Sequence, residues 1–236
     1  MEYIKMKILD KKTLTILFIG LFGSLNVNAE PSSNVAWTKD VRELIKNADI
    51  ENGEKLAEKK CAKCHGESGS DPEVLEEEDI PYLHGQIAHA NFKQLVDYLD
   101  KKRDNRSMYK KIKKLSQQDF ADISAYYATQ ELPVANVDKS RVTEEAIRMA
   151  TRGDGERFIP PCAGCHGLNG EGAIVDVPAL AGQSPSYFIT TMAEFQDEDR
   201  TNDIYSRMRF IAGQLSEQEI IDLADYYASI GRPKEK

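Results

Sequence analysis

Cys61-Ala62-Lys63-Cys64-His65 and Cys162-Ala163-Gly164-Cys165-His166 are two copies of Cys-x-x-Cys-His, and together they hold all four cysteines of the 236-residue chain. Two thiols one helical turn apart can each form a thioether to a vinyl group of one porphyrin, which sets the adjoining histidine beneath the iron as its proximal ligand. Cys-x-x-Cys also serves zinc sites and thiol redox centres. A Cys₄ zinc site would need both pairs, yet they stand about 100 residues apart and each carries a histidine at the same offset that zinc leaves unexplained. The pattern predicts two covalently bound haem c groups, with His65 and His166 as iron ligands.

An internal repeat surrounds the motifs. Leu115–Ala128 and Leu215–Ala228 are identical at seven of 14 positions at an offset of 100, and Pro81-Tyr-Leu-His-Gly-Gln86 is answered by Pro178-Ala-Leu-Ala-Gly-Gln183, as Arg103 is by Arg200. Each unit is roughly 90 residues, small enough that a buried porphyrin would supply much of its apolar centre. The boundaries expected are a leader at 1–29, a first domain at 30–131 with an extension at 30–48, a linker at 132–142 around Pro133, and a second domain at 143–236.

Helical periodicity dominates. Ser116 with Asp119 and Ser216 with Glu219 form capping-box starts, followed by Phe120, Ile123, Tyr127 and by Ile220, Leu223, Tyr227 at helical spacing. Amphipathic stretches are expected near Ala88–Lys101 and Pro185–Asp197. Asp49–Lys60 and Gly153–Pro160 are expected to lead as helices into the motifs, with Gly53 and Gly155 allowing another helix close. No alternating strand pattern appears, so the fold class is all-α.

A methionine stands seven residues before each Leu-Ser helix start: Met108 and Met208, 43 and 42 residues after His65 and His166. That matched position marks them as the sixth iron ligands, and Met149 and Met192, which have no repeat partner, as core or surface side chains. Thioether ligation favours ferrous iron and leaves no open coordination position. His84 and His89 are the competing candidates for Met108's place. His84 falls where the second repeat has Ala181, and His89 has no counterpart.

Residues 1–29 join a basic start (Lys5, Lys7, Lys11, Lys12), an apolar run from Leu14 to Leu25 and a Val27-Asn28-Ala29 end, the pattern of a secretory signal peptide cut before Glu30. The apolar run is short for a bilayer span. Export agrees with haem attachment outside the cytoplasmic membrane, so a periplasmic location is expected. The leader holds four of the 31 basic and two of the 39 acidic residues, so the formal charge of −8 falls to −10 without it. An acidic chain argues against nucleic acid and anionic lipid and for transient docking on redox proteins. The run Asp71–Asp79 is either part of such a face or a solvated loop. Lys101-Lys102-Arg103, Lys110-Lys111 and Lys113-Lys114 make the first methionine loop basic, whereas Glu194, Asp197, Glu198 and Asp199 make the second domain acidic, so the domains either face different partners or simply carry solvated charge.

These residues together resemble the dihaem cytochrome c4 family over roughly residues 48–231. The resemblance implies two class I cytochrome c domains about a pseudo-two-fold axis, with haem propionates near their interface. It also implies that the carbonyls of Pro81 and Pro178 accept from His65 and His166. Two departures stand out: the stretch from Arg103 to Met108 is three residues shorter than that from Arg200 to Met208, and the extension with Trp37 has no assignment. The expected function is an electron shuttle rather than an enzyme, taking electrons from a quinol-oxidising complex or periplasmic dehydrogenase and passing them to a terminal oxidase or reductase. The alternatives are a dihaem subunit of a larger oxidoreductase, such as a flavocytochrome sulfide dehydrogenase, and an autonomous dihaem enzyme. A homodimer is left open by the sequence, and no membrane span is expected after the leader.

Overall fold

The computed structural model describes residues 31–66, 79–132, 137–173 and 175–231. The expected leader, the acidic run up to Glu78 and residues 133–136 of the linker lie outside them. In the first half the helices are α1 (Lys39–Lys46), α2 (Ile50–Lys60), α3 (Ala62–His65), α4 (Ala88–Leu99), α5 (Arg106–Ile112) and α6 (Gln117–Thr129). In the second they are α7 (Glu144–Arg152), α8 (Ala163–His166), α9 (Pro185–Gln196), α10 (Arg207–Ala212) and α11 (Glu217–Ala228). Among the described residues the only β pairing is two isolated bridges, so the all-α expectation holds.

Local chemistry sets the helix starts. Ser116 and Ser216 accept from the backbone N–H three residues on, and Asp119 and Glu219 reach back to the serine N–H, closing both capping boxes. Asn105 caps α5 by accepting from the Met108 N–H, which fixes the turn carrying that methionine. Burial then gathers the apolar faces into two cores. Phe92, Val96, Ile112, Phe120, Ile123 and Tyr127 form the first; Met149, Phe188, Met192, Phe195, Leu223 and Tyr227 form the second. Each such side chain contributes about 1.5–3 kcal/mol. Met149 and Met192 are therefore core side chains.

The helix expected over Gly153–Pro160 does not form. α7 ends at Arg152, where Gly153 takes φ +68°, and no helix restarts before the motif because Pro160-Pro161 lack two backbone donors. A tight turn bridged by Asp154 and Ile159 carries the chain to Cys162 instead. Gly155 accordingly faces open space, whereas Gly53 does what was expected of it: a Cβ there would sit 2.1 Å from the Asp122 carbonyl oxygen on α6.

The extension packs on the first domain. Trp37 lies against Phe92 and His89, with ring centroids 6.4 and 5.4 Å away, and Ser33 Oγ donates to Asp97 at 2.6 Å. α1 then lies along α6.

The two halves meet through reciprocal hydrogen bonds. Gln86 accepts from the Ala179 N–H at 2.7 Å and donates to its carbonyl at 3.1 Å; Gln183 accepts from the Tyr82 N–H at 2.8 Å and donates to its carbonyl at 3.1 Å. Gln86 and Gln183 are repeat equivalents, as are Tyr82 and Ala179, so residue i meets j as j meets i. That is the signature of a two-fold relation. Beside this clamp, buried Lys93 donates to Asp97 at 2.6 Å and to the Asn202 carbonyl at 2.7 Å, and Asn202 donates to Asp97 at 2.7 Å. With Ser33 also bonded to Asp97, the buried ion pair is well satisfied.

Candidate haem sites

Each Cys-x-x-Cys-His motif coils into a single turn. The N–H of His65 donates to the Cys61 carbonyl at 3.0 Å and that of His166 to the Cys162 carbonyl at 2.8 Å, which puts each histidine one turn after its first cysteine. Both imidazoles are buried. Nδ1 of His65 lies 3.0 Å from the Pro81 carbonyl oxygen and Nδ1 of His166 lies 2.8 Å from that of Pro178. A carbonyl only accepts, so Nδ1 carries the proton and Nε2 keeps its lone pair for a metal. Burial also holds both histidines below their ordinary pKa, outweighing the proline carbonyls, and so keeps them in the neutral ligating form.

The strap holding each proline is anchored to the last helix. Gly85 donates to the Tyr127 carbonyl at 3.0 Å and Gly182 to the Tyr227 carbonyl at 2.9 Å, with both glycines near φ +70°. The same tyrosines lie against the first cysteine of each motif, Tyr127 on Cys61 and Tyr227 on Cys162. Burial pushes the Cys61 thiol up to about 11. Met108 and Cys61 pack on the first core, Met208 and Cys162 on the second. The cysteine pairs thus belong to separate cores, which removes the shared zinc site.

His89 lies tilted against Trp37, and His84 packs edge-on to Tyr127, their ring centroids 5.3 Å apart. Less legible in sequence was the charge at the interface. Arg103 is buried and Arg200 half-buried, and their hydrogen bonds go to amide and phenol oxygens rather than carboxylates: Gln94 and Tyr187 for Arg103, Gln94 and Asn202 for Arg200. Arg103 is thus turned inward, away from the basic surface expected of it beside Lys101 and Lys102. Burial raises the Tyr187 phenol, but the two guanidiniums outweigh it and hold it at about 7. A sheltered cationic site of this kind suits the carboxylates of a porphyrin. With paired thiols, a free Nε2 and a thioether in each core, the residues present fit covalent haem.

Relatives agree with this chemistry. The profile described as "Cytochrome C oxidase, cbb3-type, subunit III" matches residues 48–126 and that described as "Cytochrome c" matches 154–230. Cytochrome c4 of Pseudomonas aeruginosa is 35% identical over 170 residues, 70% of this chain and 81% of that protein. The chain belongs to the dihaem cytochrome c4 family. It carries two covalent haem c groups and is an electron-transfer protein. The reduced cytochrome c4 structure from Pseudomonas stutzeri superposes with a TM-score of 0.70 at 29% identity, over 77% of this chain and 98% of that one. A further relative is named thiosulfate dehydrogenase electron acceptor, from Stutzerimonas stutzeri, 33% identical over 73% of this chain and 79% of that protein. Among the described residues no helix is long and apolar enough to cross a membrane.

Proposed function

We propose that the chain is a periplasmic shuttle passing single electrons through two saturated haems. Cys61, Cys64, Cys162 and Cys165 form the thioethers; His65 with Met108 and His166 with Met208 hold the irons. When bound, each haem supplies the one-electron couple between ferrous and ferric iron. The protein fixes the ligands. Pro81 and Pro178 hold the imidazoles in one tautomer and orientation, the straps tie them to α6 and α11, and the buried surroundings exclude water, so little rearranges when charge changes. Arg103 and Arg200 take the propionates at the interface. The domains are 30–131 and 143–236, joined by the linker at 132–142 and exported by the 1–29 leader.

The observation that carries this is the matched pair of buried histidines, each with Nδ1 spent on a proline carbonyl and a methionine on the same core. The donor is a quinol-oxidising complex or periplasmic dehydrogenase, and the acceptor a terminal oxidase or reductase. One specific observation favours a narrower donor: the likeness to thiosulfate dehydrogenase electron acceptors makes a thiosulfate-oxidising enzyme the second reading.

Replacing Met108 or Met208 by Ala tests the ligands. Each single variant should lose half of the weak methionine-sulfur charge-transfer absorption of the oxidised protein. Each should also lower one of two titrated potentials by on the order of 0.1–0.3 V, within the roughly 0.8 V that axial ligands span. Unchanged absorption and potentials in both would refute the assignment.

A further inference from the structure

The two haem attachment edges carry opposite surface chemistry. Around the first stand Lys60, Lys63, Lys110, Lys111, Lys113 and Lys114; all but Lys60 are exposed, and among the described residues none is ion-paired. Lys60 directly precedes Cys61, and Lys110 and Lys111 follow Met108 on α5, a helix that packs on the same core as Cys61. Lys63 lies between the two cysteines. The repeat equivalents in the second domain are Pro161, Gly164, Phe210, Ile211, Gly213 and Gln214, without one charge among them. Phe158, Leu168 and Tyr205 are 78%, 78% and 90% exposed, and Phe210 53%. The second loop's cations are Arg207 and Arg209, of which Arg209 is paired with Asp203 at 2.8 Å.

Helix-end electrostatics explains part of the lysine set: Lys110 and Lys111 occupy the last turn of α5, and Lys60 that of α2. Lys63 lies in the single turn of α3 and Lys113 caps α5, but Lys114 stands beyond both helices, and the end of one short helix does not call for four lysines at 110, 111, 113 and 114. Nor does solubility require them, in a chain whose net charge is −8. A cationic cluster on an acidic molecule creates a dipole that turns one face toward an anionic partner before contact.

We propose that this lysine face is the electron port of the first haem and docks the acidic surface of a redox protein, whereas the second haem's edge exchanges electrons without electrostatic guidance. This rests on the shuttle function above and adds the chemistry of one partner.

The test uses the reduced dihaem protein, with ferricyanide as anionic oxidant and poly-L-glutamate as competitor. Oxidation of the native protein should slow about tenfold between about 0.01 M and 0.5 M salt, and poly-L-glutamate should inhibit at low salt. In Lys110→Glu/Lys111→Glu/Lys113→Glu/Lys114→Glu the salt dependence should vanish or reverse and inhibition disappear, with visible spectra unchanged. The milder Lys111→Gln/Lys114→Gln variant should lie between. Phe210→Glu/Gln214→Glu, which adds negative charge at the second edge, should behave as the native protein. Native salt dependence in the quadruple variant, or an equal loss in the second-domain control, would overturn the port. A native protein that shows no reversible haem oxidation at all would instead refute the shuttle function itself.

Discussion

The two domains reach the same haem motif by different routes. In the first, α2 runs to Lys60 and passes straight into the turn bearing Cys61 and His65. In the second, α7 stops at Arg152, well short of its motif, and a turn closed by Asp154 and Ile159 delivers Cys162. Downstream of each motif the two domains nevertheless match: a proline carbonyl on the histidine, a left-handed glycine bonded to the last helix, and a capping box starting that helix. The approach to the haem is free to vary as long as the strap and last helix hold the histidine. The comparison also separates what the repeat duplicated, the seating of the histidine, from what it let diverge, the entry segment and the surface.

The sharpest way to break this comparison is at the paired glycines. A Cβ on Gly53 meets the Asp122 carbonyl oxygen at 2.1 Å and Tyr126 Cβ at 3.0 Å, both on α6, so Gly53→Ala must push the two helices apart. The expected cost is roughly 2–4 kcal/mol, after about 1 kcal/mol of regained helix propensity. Gly155→Ala meets nothing within 4 Å and should stay within about 0.5 kcal/mol of the native protein. Urea unfolding of the holoprotein measures both. Equal costs would mean that the entry segments are equivalent after all.

The interface glutamines should behave in the opposite way. Gln86→Ala strips both hydrogen bonds from Ala179, and Gln183→Ala strips both from Tyr82. Each loss removes two hydrogen bonds across the interface, at about 1–2 kcal/mol. Because the pairs are related by symmetry, the two single variants should agree within about 0.5 kcal/mol. A large difference between them would sink the two-fold description of the interface.

How far these features were legible in sequence depended on whether they repeat. Cys61, His65, Cys162 and His166 announce themselves by spacing, the capping boxes by residue type, and Met108 and Met208 by matched position. Gln86 and Gln183 were visible as a repeated Gly-Gln, but no periodicity reveals that a side chain reaches across a two-fold axis to the other copy. The missing helix at Gly153–Pro160 was masked by analogy with Asp49–Lys60; the signal against it, Gly153 followed by Pro160-Pro161, was present and local. Arg103 read as surface charge because it adjoins Lys101-Lys102, and only the fold places it between Tyr98 of α4 and Tyr187 of α9. Likewise nothing in the sequence places Trp37 on Phe92, since that contact joins segments more than fifty residues apart.

The smallest expected difference concerns acid. Both last helices open with a capping box, but only the second adds an arginine: Arg157, from the turn that replaces the entry helix, grips both oxygens of Glu219 at 2.6 and 3.0 Å and also pairs with Asp154. Hydrogen bonding from Arg157 holds the Glu219 carboxyl down at about 2, against an ordinary value of 4.5. A carboxyl depressed in the folded state stabilises fully above its unfolded pKa and stops doing so as pH falls through the folded one. The second domain should therefore lose this contribution progressively between about pH 4.5 and pH 2. Glu219→Gln should remove it throughout, at a cost near neutral pH of about 1 kcal/mol for a solvent-screened pair plus part of a cap. Asp119→Asn in the first domain removes a cap carboxylate without an arginine partner and should cost less. Unfolding free energies at pH 7 and pH 3 check the point: the difference between native protein and Glu219→Gln should shrink at the lower pH. A difference that grew on acidification would show that Glu219 is held in its protonated form and that Arg157 does not govern it.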